Sequence, residues 1–373
     1  MTQSQDLLQR LAGIAADSPL AEARRIREAA TVHTQGSYDV LFNSDDKGEF
    51  PLAARLTVAQ RVAGWHGEEA LAAHYTERLS VSPAADERLS AALAHAELLT
   101  FKPASAGPAD LRTLGQAGWN AGAIVTLSQL VAFVSYQSRL LRGYRLLDGE
   151  NGVAAATQPA VAAAWRSEPL TLSGKNAPPA FTREELGWEP WLAAKPLAEF
   201  NALEKTTLAK FGHSDSDYFR LLARNLPLLE QRTLADKGIF FTSGGLPRKE
   251  RELVAAVASK VNGCIFCASV HARKAAQLSK QPEDVQRLLD IAPGQPLAVE
   301  QSPRWLALID FSAALSATPP TAHVQQLDAL REQRLSELEL VDVIQSAAFF
   351  AWANRLMLTL GEPYRTPPLT TVG

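Results

Sequence analysis

The sequence predicts an all-α protein. Ala, Leu, Glu, Gln and Arg dominate it, and these are good helix formers. Apolar residues recur at spacings of three and four, as at Leu335, Leu338, Val341, Ile344 and Ala348, which is the period of a helix face. Runs of Val, Ile, Thr and Tyr with the two-residue alternation of a half-buried strand are scarce.

At 373 residues the chain has room for two or three domains. Lys and Arg number 37 against 40 Asp and Glu, so no basic excess recruits nucleic acid or an anionic membrane. Two cysteines exclude a disulfide-rich secreted scaffold. The N-terminal stretch MTQSQDLLQRLAGIAADSPL has no basic segment leading into an apolar run, so a secretory signal is not expected. The most apolar stretch, Ala121 to Val134, is interrupted by Thr126, Ser128 and Gln129. It falls short of the roughly 18 to 20 apolar residues of a membrane span. Glycine-rich nucleotide fingerprints are absent. A reduced, cytoplasmic protein is the expectation.

The elements follow in chain order. Ile124 to Leu140 reads as a helix and resembles Leu340 to Leu356, with identities at six of seventeen positions. Upstream, Pro51, Arg55, Val58 and Ala59 match Pro247, Arg251, Val254 and Ala255. These matches indicate an internal duplication, its second copy carrying about twenty extra residues between the two anchors. Two unrelated amphipathic helices of similar composition are the simpler alternative. Between the copies, residues 149–193 are rich in proline and lack helical periodicity, which marks a linker. Trp165, Trp188 and Trp191 argue that part of it packs onto a domain. The expected organisation is a first domain over 1–148, the linker, and a second domain over 194–373. The last long helix runs from about Ser336 to Leu360. Ser336 and Glu339 have the spacing of a capping box, and Gly361 with Pro363 ends the helix.

Both cysteines lie in LPRKERELVAAVASKVNGCIFCASVHARKAA. Pro247 suits a first helical turn, and the helix stops at Asn262-Gly263. A new helix near Cys264 puts Cys264 and Cys267 in its first turn, where unpaired N–H groups and a positive dipole favour thiolates. The pKa of these cysteines is therefore expected to fall. Spaced by three, they share a face and lie close enough for a disulfide. His271 sits one turn further on that face and can take or return a proton. Glu252, in the preceding helix, faces the cluster if the two helices form a hairpin, giving a Glu–water–His relay. Half a zinc site is a poor alternative, because zinc wants four ligands and only His271 is near. Two inert buried thiols are the other alternative, although they leave the pairing at a helix start without a reason.

This segment resembles the alkylhydroperoxidase D family of the carboxymuconolactone decarboxylase superfamily. Glu252, Cys264, Cys267 and His271 match it in order and spacing, and the helix LSELELVDVIQSAAFFAWANRL looks like that family's later helix. Asp217-Tyr218-Phe219 and Val261-Asn262-Gly263 look like its peroxidase-related branch. The resemblance covers about Ala194 to Pro363, with a weaker one over about Ser37 to Leu147. It implies two tandem all-α domains of this type, the first without the cysteine site. It further implies that Cys267 attacks the peroxide and that Cys264 donates a proton and then resolves the sulfenic acid to a disulfide. His271 and Glu252 would relay protons, and an external dithiol would restore the thiols. No metal or other cofactor is implied. Phe266 departs from the pattern, since the family's peroxidases have a histidine directly before the second cysteine.

In the first copy the site positions correspond to Leu56, Glu68, Leu71 and Tyr75, which cannot run thiol chemistry. His66, Glu68, Glu69 and His74 read as a solvated helix face. Three functions remain: a cysteine-based hydroperoxide reductase, a lactone decarboxylase that makes no use of the dithiol, and a non-enzymatic thiol switch or assembly protein. Two repeats of large amphipathic helices favour a homo-oligomer, with a trimer as the first expectation.

Overall fold

The computed structural model describes residues 6–43, 50–80, 83, 86–149 and 158–366. The chain opens with α1 (Leu7–Ala12), α2 (Pro19–Ile26), α3 (Glu28–Phe42) and α4 (Leu52–Trp65). Then come α5 (Glu69–Glu77), α6 (Glu87–Phe101), α7 (Pro108–Gln116) and the long α8 (Ala121–Leu147). After β1 (Leu186–Pro190) follow α9 (Ala202–Lys210), α10 (Asp217–Leu222), α11 (Leu226–Phe240), α12 (Arg248–Asn262) and α13 (Ile265–Ser279). The chain continues through α14 (Pro282–Asp290), α15 (Pro303–Ser316), α16 (Val324–Glu332), α17 (Glu337–Thr359) and β2 (Gly361–Arg365). The fold is all-α, apart from one short two-stranded ribbon.

Helices α8 and α17 are buried on nearly every face, so they occupy the centre rather than the surface. The predicted capping box is present: Ser336 Oγ accepts from Glu339 N, and Ser336 N donates to the Glu339 carboxylate. The two long helices pack on each other through reciprocal contacts. Phe133 meets Trp352 with centroids 5.1 Å apart, and Tyr136 meets Phe349 at 6.0 Å. In the aligned copies Phe133 corresponds to Phe349 and Tyr136 to Trp352, so the two contacts exchange under a pseudo-two-fold. Arg139 and Arg355 repeat the exchange. Arg139 Nη2 donates to Ser316 O (3.0 Å) at the end of α15, and Arg355 Nη2 donates to Thr100 O (2.9 Å) at the end of α6. Reciprocal pairing of equivalent residues is the mark of an isologous dimer interface, here closed within one chain. Helices α3 and α11 form a second contact between the halves, close enough that a Cβ on Gly36 would meet Gln231, and one on Gly238 the backbone of Ala29 and Ala30.

The start of the predicted linker, 150–157, lies outside the described residues. From residue 158 onward the segment is strapped to the second half. Ala162 N donates to Gln295 O (2.9 Å), Ala163 N to Lys260 O (3.1 Å), and Trp188 Nε1 to Met357 O (3.0 Å). Its strand β1 pairs antiparallel with β2, which the helical reading did not anticipate. Helix α17 ends at Thr359, and Gly361 opens β2. A Cβ at Gly361 would collide with Glu189 O and the Trp188 ring, so the close approach of the two strands requires glycine there.

The predicted solvated face of the first copy is also corrected. His66 and Glu68 are buried. His66 Nε2 pairs with Ser135 Oγ (2.9 Å), and Glu68 forms an ion pair with Arg145 (2.6 Å). The α4–α5 corner lies under α8, where the charge of Glu68 is met by Arg145 rather than by water. Only Glu69 is exposed; His74 is half-buried and bonds to Tyr38 Oη (2.7 Å).

Because the core is shared, Trp352→Ala should lower stability by about 3–5 kcal/mol and leave one unfolding transition in denaturant. Two transitions, with only the later one shifted, would mean that the halves fold separately.

Candidate active site

Helix α12 starts after Pro247, as its fixed φ and missing N–H favour. It ends at Gly263, whose φ of 77° is left-handed and whose N–H closes on Lys260 O and Ser259 O. A Cβ there would also strike Ala164 O of the strap, so glycine is required twice over. The chain then turns so that Cys264 is the N-cap of α13 and Cys267 lies in its first turn. Helices α12 and α13 pack as the predicted hairpin, which brings Glu252 to His271.

Both thiols are free and buried. Desolvation disfavours a thiolate at either position, yet the two sulfurs diverge. Burial pushes Cys264 well above the ordinary thiol range, and its hydrogen bond to Cys267 and that neighbour's charge push the same way. Cys267 is held below that range despite its burial. The hydrogen bond from Cys264, the charge of His271, the Asn354 amide and the charge of Arg232 outweigh the desolvation. The expectation that both pKa values fall is therefore corrected. The helix N-terminus cannot favour two adjacent buried anions, and the second thiol serves the first as a hydrogen-bond donor.

The acid–base pair is direct. Glu252 Oε2 lies 2.5 Å from His271 Nδ1, so the predicted intervening water has no place between them. Glu252 is 1% exposed on its side chain, and Arg248 Nε donates to its other oxygen (2.5 Å). Burial opposes its ionisation, but the hydrogen bonds and charges of His271 and Arg248 outweigh burial and hold the carboxyl below its usual range. With Nδ1 tied to the Glu252 carboxylate, Nε2 is the ring nitrogen left for proton transfer. Phe350, with its ring centroid 4.4 Å away and nearly perpendicular, fixes the plane of the imidazole.

The cluster has two openings. Glu252 and His271 line a cleft of about 390 Å³ with Asp236, Phe240 and Arg248, which gives the pair access to solvent protons. Cys264 lines a separate pocket of about 40 Å³, enough for a few water-sized molecules, between Trp165 of the strap, Ile265, Phe266 and Met357. Phe266, the departure from the family pattern, contributes an apolar wall there. Among the described residues no cluster of three His, Cys, Asp or Glu side chains is placed to hold a metal ion.

All four predicted site residues thus meet in one place. Sequence reasoning assigned no role to Asn354 and Arg232, which act on Cys267, nor to Tyr218, whose hydroxyl is raised by burial first and by the two sulfurs after it. Asn354 is wholly buried on α17, and its amide hydrogen-bonds Ser259 Oγ (3.0 Å) and Asn262 (3.1 Å) besides the thiols. Arg232 on α11 and Tyr218 on α10 complete the surroundings. No local spacing signals them, because each sits on a different helix from the cysteines.

At limiting iodoacetamide Cys267 should be alkylated before Cys264. Its rate should be half-maximal below the pH of about 8.5 of an unperturbed thiol, falling as pH drops through the lowered pKa. His271→Ala and Cys264→Ala, which remove the charge and the hydrogen-bond donor, should each move that midpoint upward. Mass mapping of the alkylated peptide across pH checks this, and equal labelling of both sulfurs would contradict it.

Residues 227–294, from α11 through α14, match the profile of the carboxymuconolactone decarboxylase family. A search of curated proteins found no match. Among solved structures, the chain is similar to a peroxidase-related protein described as an alkylhydroperoxidase AhpD core, from Ralstonia eutropha JMP134. The identity is 19%, the coverage 44% of this chain and 86% of that one, and the TM-score 0.36. A peroxidase-related protein from Silicibacter sp. TM1040 is 20% identical over 46% of this chain and 92% of that one, with a TM-score of 0.38. The helices that carry Glu252, Cys264, Cys267 and His271 all lie within the segment that matches the carboxymuconolactone decarboxylase family profile.

Proposed function

We propose that the chain is a cysteine-based hydroperoxide reductase of the alkylhydroperoxidase kind. The observation that carries this reading is the polarised dithiol: a buried Cys267 favoured as thiolate, hydrogen-bonded by a Cys264 favoured as thiol, with the Glu252–His271 pair one turn away. A structural pair of thiols has no need for opposite proton affinities, nor for a buried ion pair at its side.

The Cys267 thiolate attacks the terminal oxygen of ROOH; an S–O bond forms, the O–O bond breaks, and its electron pair leaves on RO⁻. Cys264 gives its proton to RO⁻, releasing ROH, and becomes a thiolate. That thiolate attacks the Cys267 sulfenic acid, forming the S–S bond and expelling hydroxide, which takes back from His271 the proton the imidazole accepted when the Cys267 thiol ionised, and leaves as water. An external dithiol then returns the disulfide to two thiols by exchange. The small pocket at Cys264, walled by Trp165, Phe266 and Met357, suits hydrogen peroxide or the reacting end of an organic hydroperoxide.

The dithiol also argues against lactone decarboxylation, which would leave it without a role. Assembly as a homotrimer, each chain supplying a pseudo-dimer, and operation in a reducing cytoplasm belong to the same reading.

With excess dithiothreitol and a hydroperoxide, Cys267→Ser should abolish turnover. Cys264→Ser should permit one turnover and then stall. Glu252→Gln should lower kcat/KM by about 10²-fold, the usual contribution of general acid–base catalysis. Peroxide consumption by Cys267→Ser at the wild-type rate would overturn the assignment.

A further inference from the structure

Access to the sulfurs restricts what can return an oxidised site to two thiols. Cys264 is 1% exposed and Cys267 6%. Neither cysteine lines the cleft of about 390 Å³ at His271, whereas Cys264 lines the pocket of about 40 Å³. That pocket lies under the strap, whose Trp165, Arg166 and Pro178 line it together with Cys264, Phe266 and Met357. The strap is fastened on both sides of Trp165. Before it, Ala162 N donates to Gln295 O (2.9 Å) and Ala163 N to Lys260 O (3.1 Å). After it, Leu172 N donates to the Glu362 carboxylate (2.6 Å), and Asn176 O accepts from Arg365 N (2.8 Å). Its backbone presses on the turn before Cys264 so closely that a Cβ on Gly263 would lie 2.5 Å from Ala164 O. Trp165 itself is set edge-on to Phe181, with ring centroids 5.3 Å apart. The roof over Cys264 is thus a packed part of the fold. The pocket wall is also charged. Glu168 and Glu362 stand there against one cation, Arg166, whose Nε donates to Glu168 (2.8 Å) and whose Nη1 lies 3.8 Å from Glu362. One guanidinium cannot neutralise two carboxylates, so the wall keeps a net negative charge.

We propose that the Cys264–Cys267 disulfide is reduced by a free low-molecular-weight thiol without negative charge, which enters beneath the strap at Cys264, and not by the cysteines of a protein dithiol. The inference rests on the peroxidase reading of the dithiol and names the reductant of that same site. Exchange requires the incoming sulfur to reach a sulfur of the disulfide. A space that holds a few water-sized molecules admits a CH₂–SH end. A protein cysteine brings its own backbone and neighbouring side chains with its sulfur, and these have no room under Trp165 and Pro178. The incoming thiolate attacks Cys264 Sγ; a mixed S–S bond forms, the Cys264–Cys267 bond breaks, and its electron pair leaves on Cys267. Cys267 is the sulfur held as thiolate, so it is the better leaving group of the two. A second thiolate, from the same small molecule or from another, attacks the outer sulfur of the mixed disulfide. Cys264 leaves with the electron pair and takes a proton released by the incoming thiol. The small thiol departs as its own disulfide, having given up two electrons and two protons.

The test starts from disulfide made with one equivalent of hydroperoxide and verified by peptide mass. Its reduction is timed with dithiothreitol, cysteamine, mercaptoacetate and reduced thioredoxin. Each rate is divided by that of the same reagent on hydroxyethyl disulfide, an exposed reference that removes differences in thiol basicity. On this scale thioredoxin should be about 10²-fold slower than dithiothreitol, the loss expected when reacting atoms cannot be brought into line. Mercaptoacetate should be slower than cysteamine by roughly fivefold per unit of charge, as for charges near contact in water. Trp165→Ala, which removes the largest side chain of the roof, should speed thioredoxin far more than dithiothreitol. Glu168→Gln should narrow the gap between cysteamine and mercaptoacetate while thioredoxin stays excluded. Thioredoxin matching dithiothreitol on the wild type, or mercaptoacetate matching cysteamine, would overturn the proposal. The wild type and Glu168→Gln carry the test if Trp165→Ala fails to fold. If the hydroperoxide leaves both thiols unchanged, the peroxidase reading falls and this inference with it; if the disulfide forms and thioredoxin reduces it as readily as dithiothreitol does, this inference falls alone.

Discussion

Burial of the two sulfurs is the constraint on which the rest of the site depends. In water a pair of neighbouring thiols titrates nearly alike. Enclosed between α12, α13 and α17, they cannot both become anions, since the desolvation cost falls on each charge and the two would repel. The surroundings decide which one ionises. Cys267 faces the imidazole and the charge of Arg232, while Cys264 is left to donate to it. Part of that asymmetry is upheld by a buried carboxylate that is itself paired. Glu252 is held by Arg248 and His271, and so keeps the imidazole oriented and able to carry a proton.

That arrangement needs a rigid frame, and the packing of the first half of the chain on the second supplies it. Equivalent positions on α8 and α17 make the interface. Phe133, Tyr136 and Arg139 meet Trp352, Phe349 and the end of α15, while Arg355 reaches the end of α6. Neither Arg139 nor Arg355 has a carboxylate partner among the described residues; their charges rest on backbone carbonyls and on Thr318. Such contacts specify one way of docking, because a shifted register would strand both cations. Helix α17 carries this interface on one side and presents Asn354 and Phe350 to the thiols and imidazole on the other. Packing between the halves thus sets the position of groups that touch the reactive atoms.

Much of this was legible in the residues themselves. Gly263 after Asn262 announces a left-handed stop, Ser336 with Glu339 a capped start, and a Cys-x-x-Cys-x3-His run a shared helical face. These are local rules with periods of a few residues. The interior of the first copy was not legible. Whether His66 and Glu68 face water depends on α8 lying across the α4–α5 corner, and that contact spans about seventy residues. Strand β1 was hidden for a related reason: it is ordered only because β2, far along the chain, pairs with it. Arg232 and Asn354 likewise act on Cys267 from two separate helices, and no spacing within one helix encodes their convergence.

The central claim is that Cys267 is the sulfur that meets the oxidant and Cys264 the one that resolves it. Peptide mass spectrometry after a limiting dose of alkyl hydroperoxide tests this most directly, with dimedone present to trap sulfenic acid. The wild type should yield the internal Cys264–Cys267 disulfide, reversed by a dithiol, and Cys264→Ser should yield a dimedone adduct on Cys267. An adduct on Cys264 in Cys267→Ser at comparable yield, or two thiols unchanged by peroxide, would contradict the account.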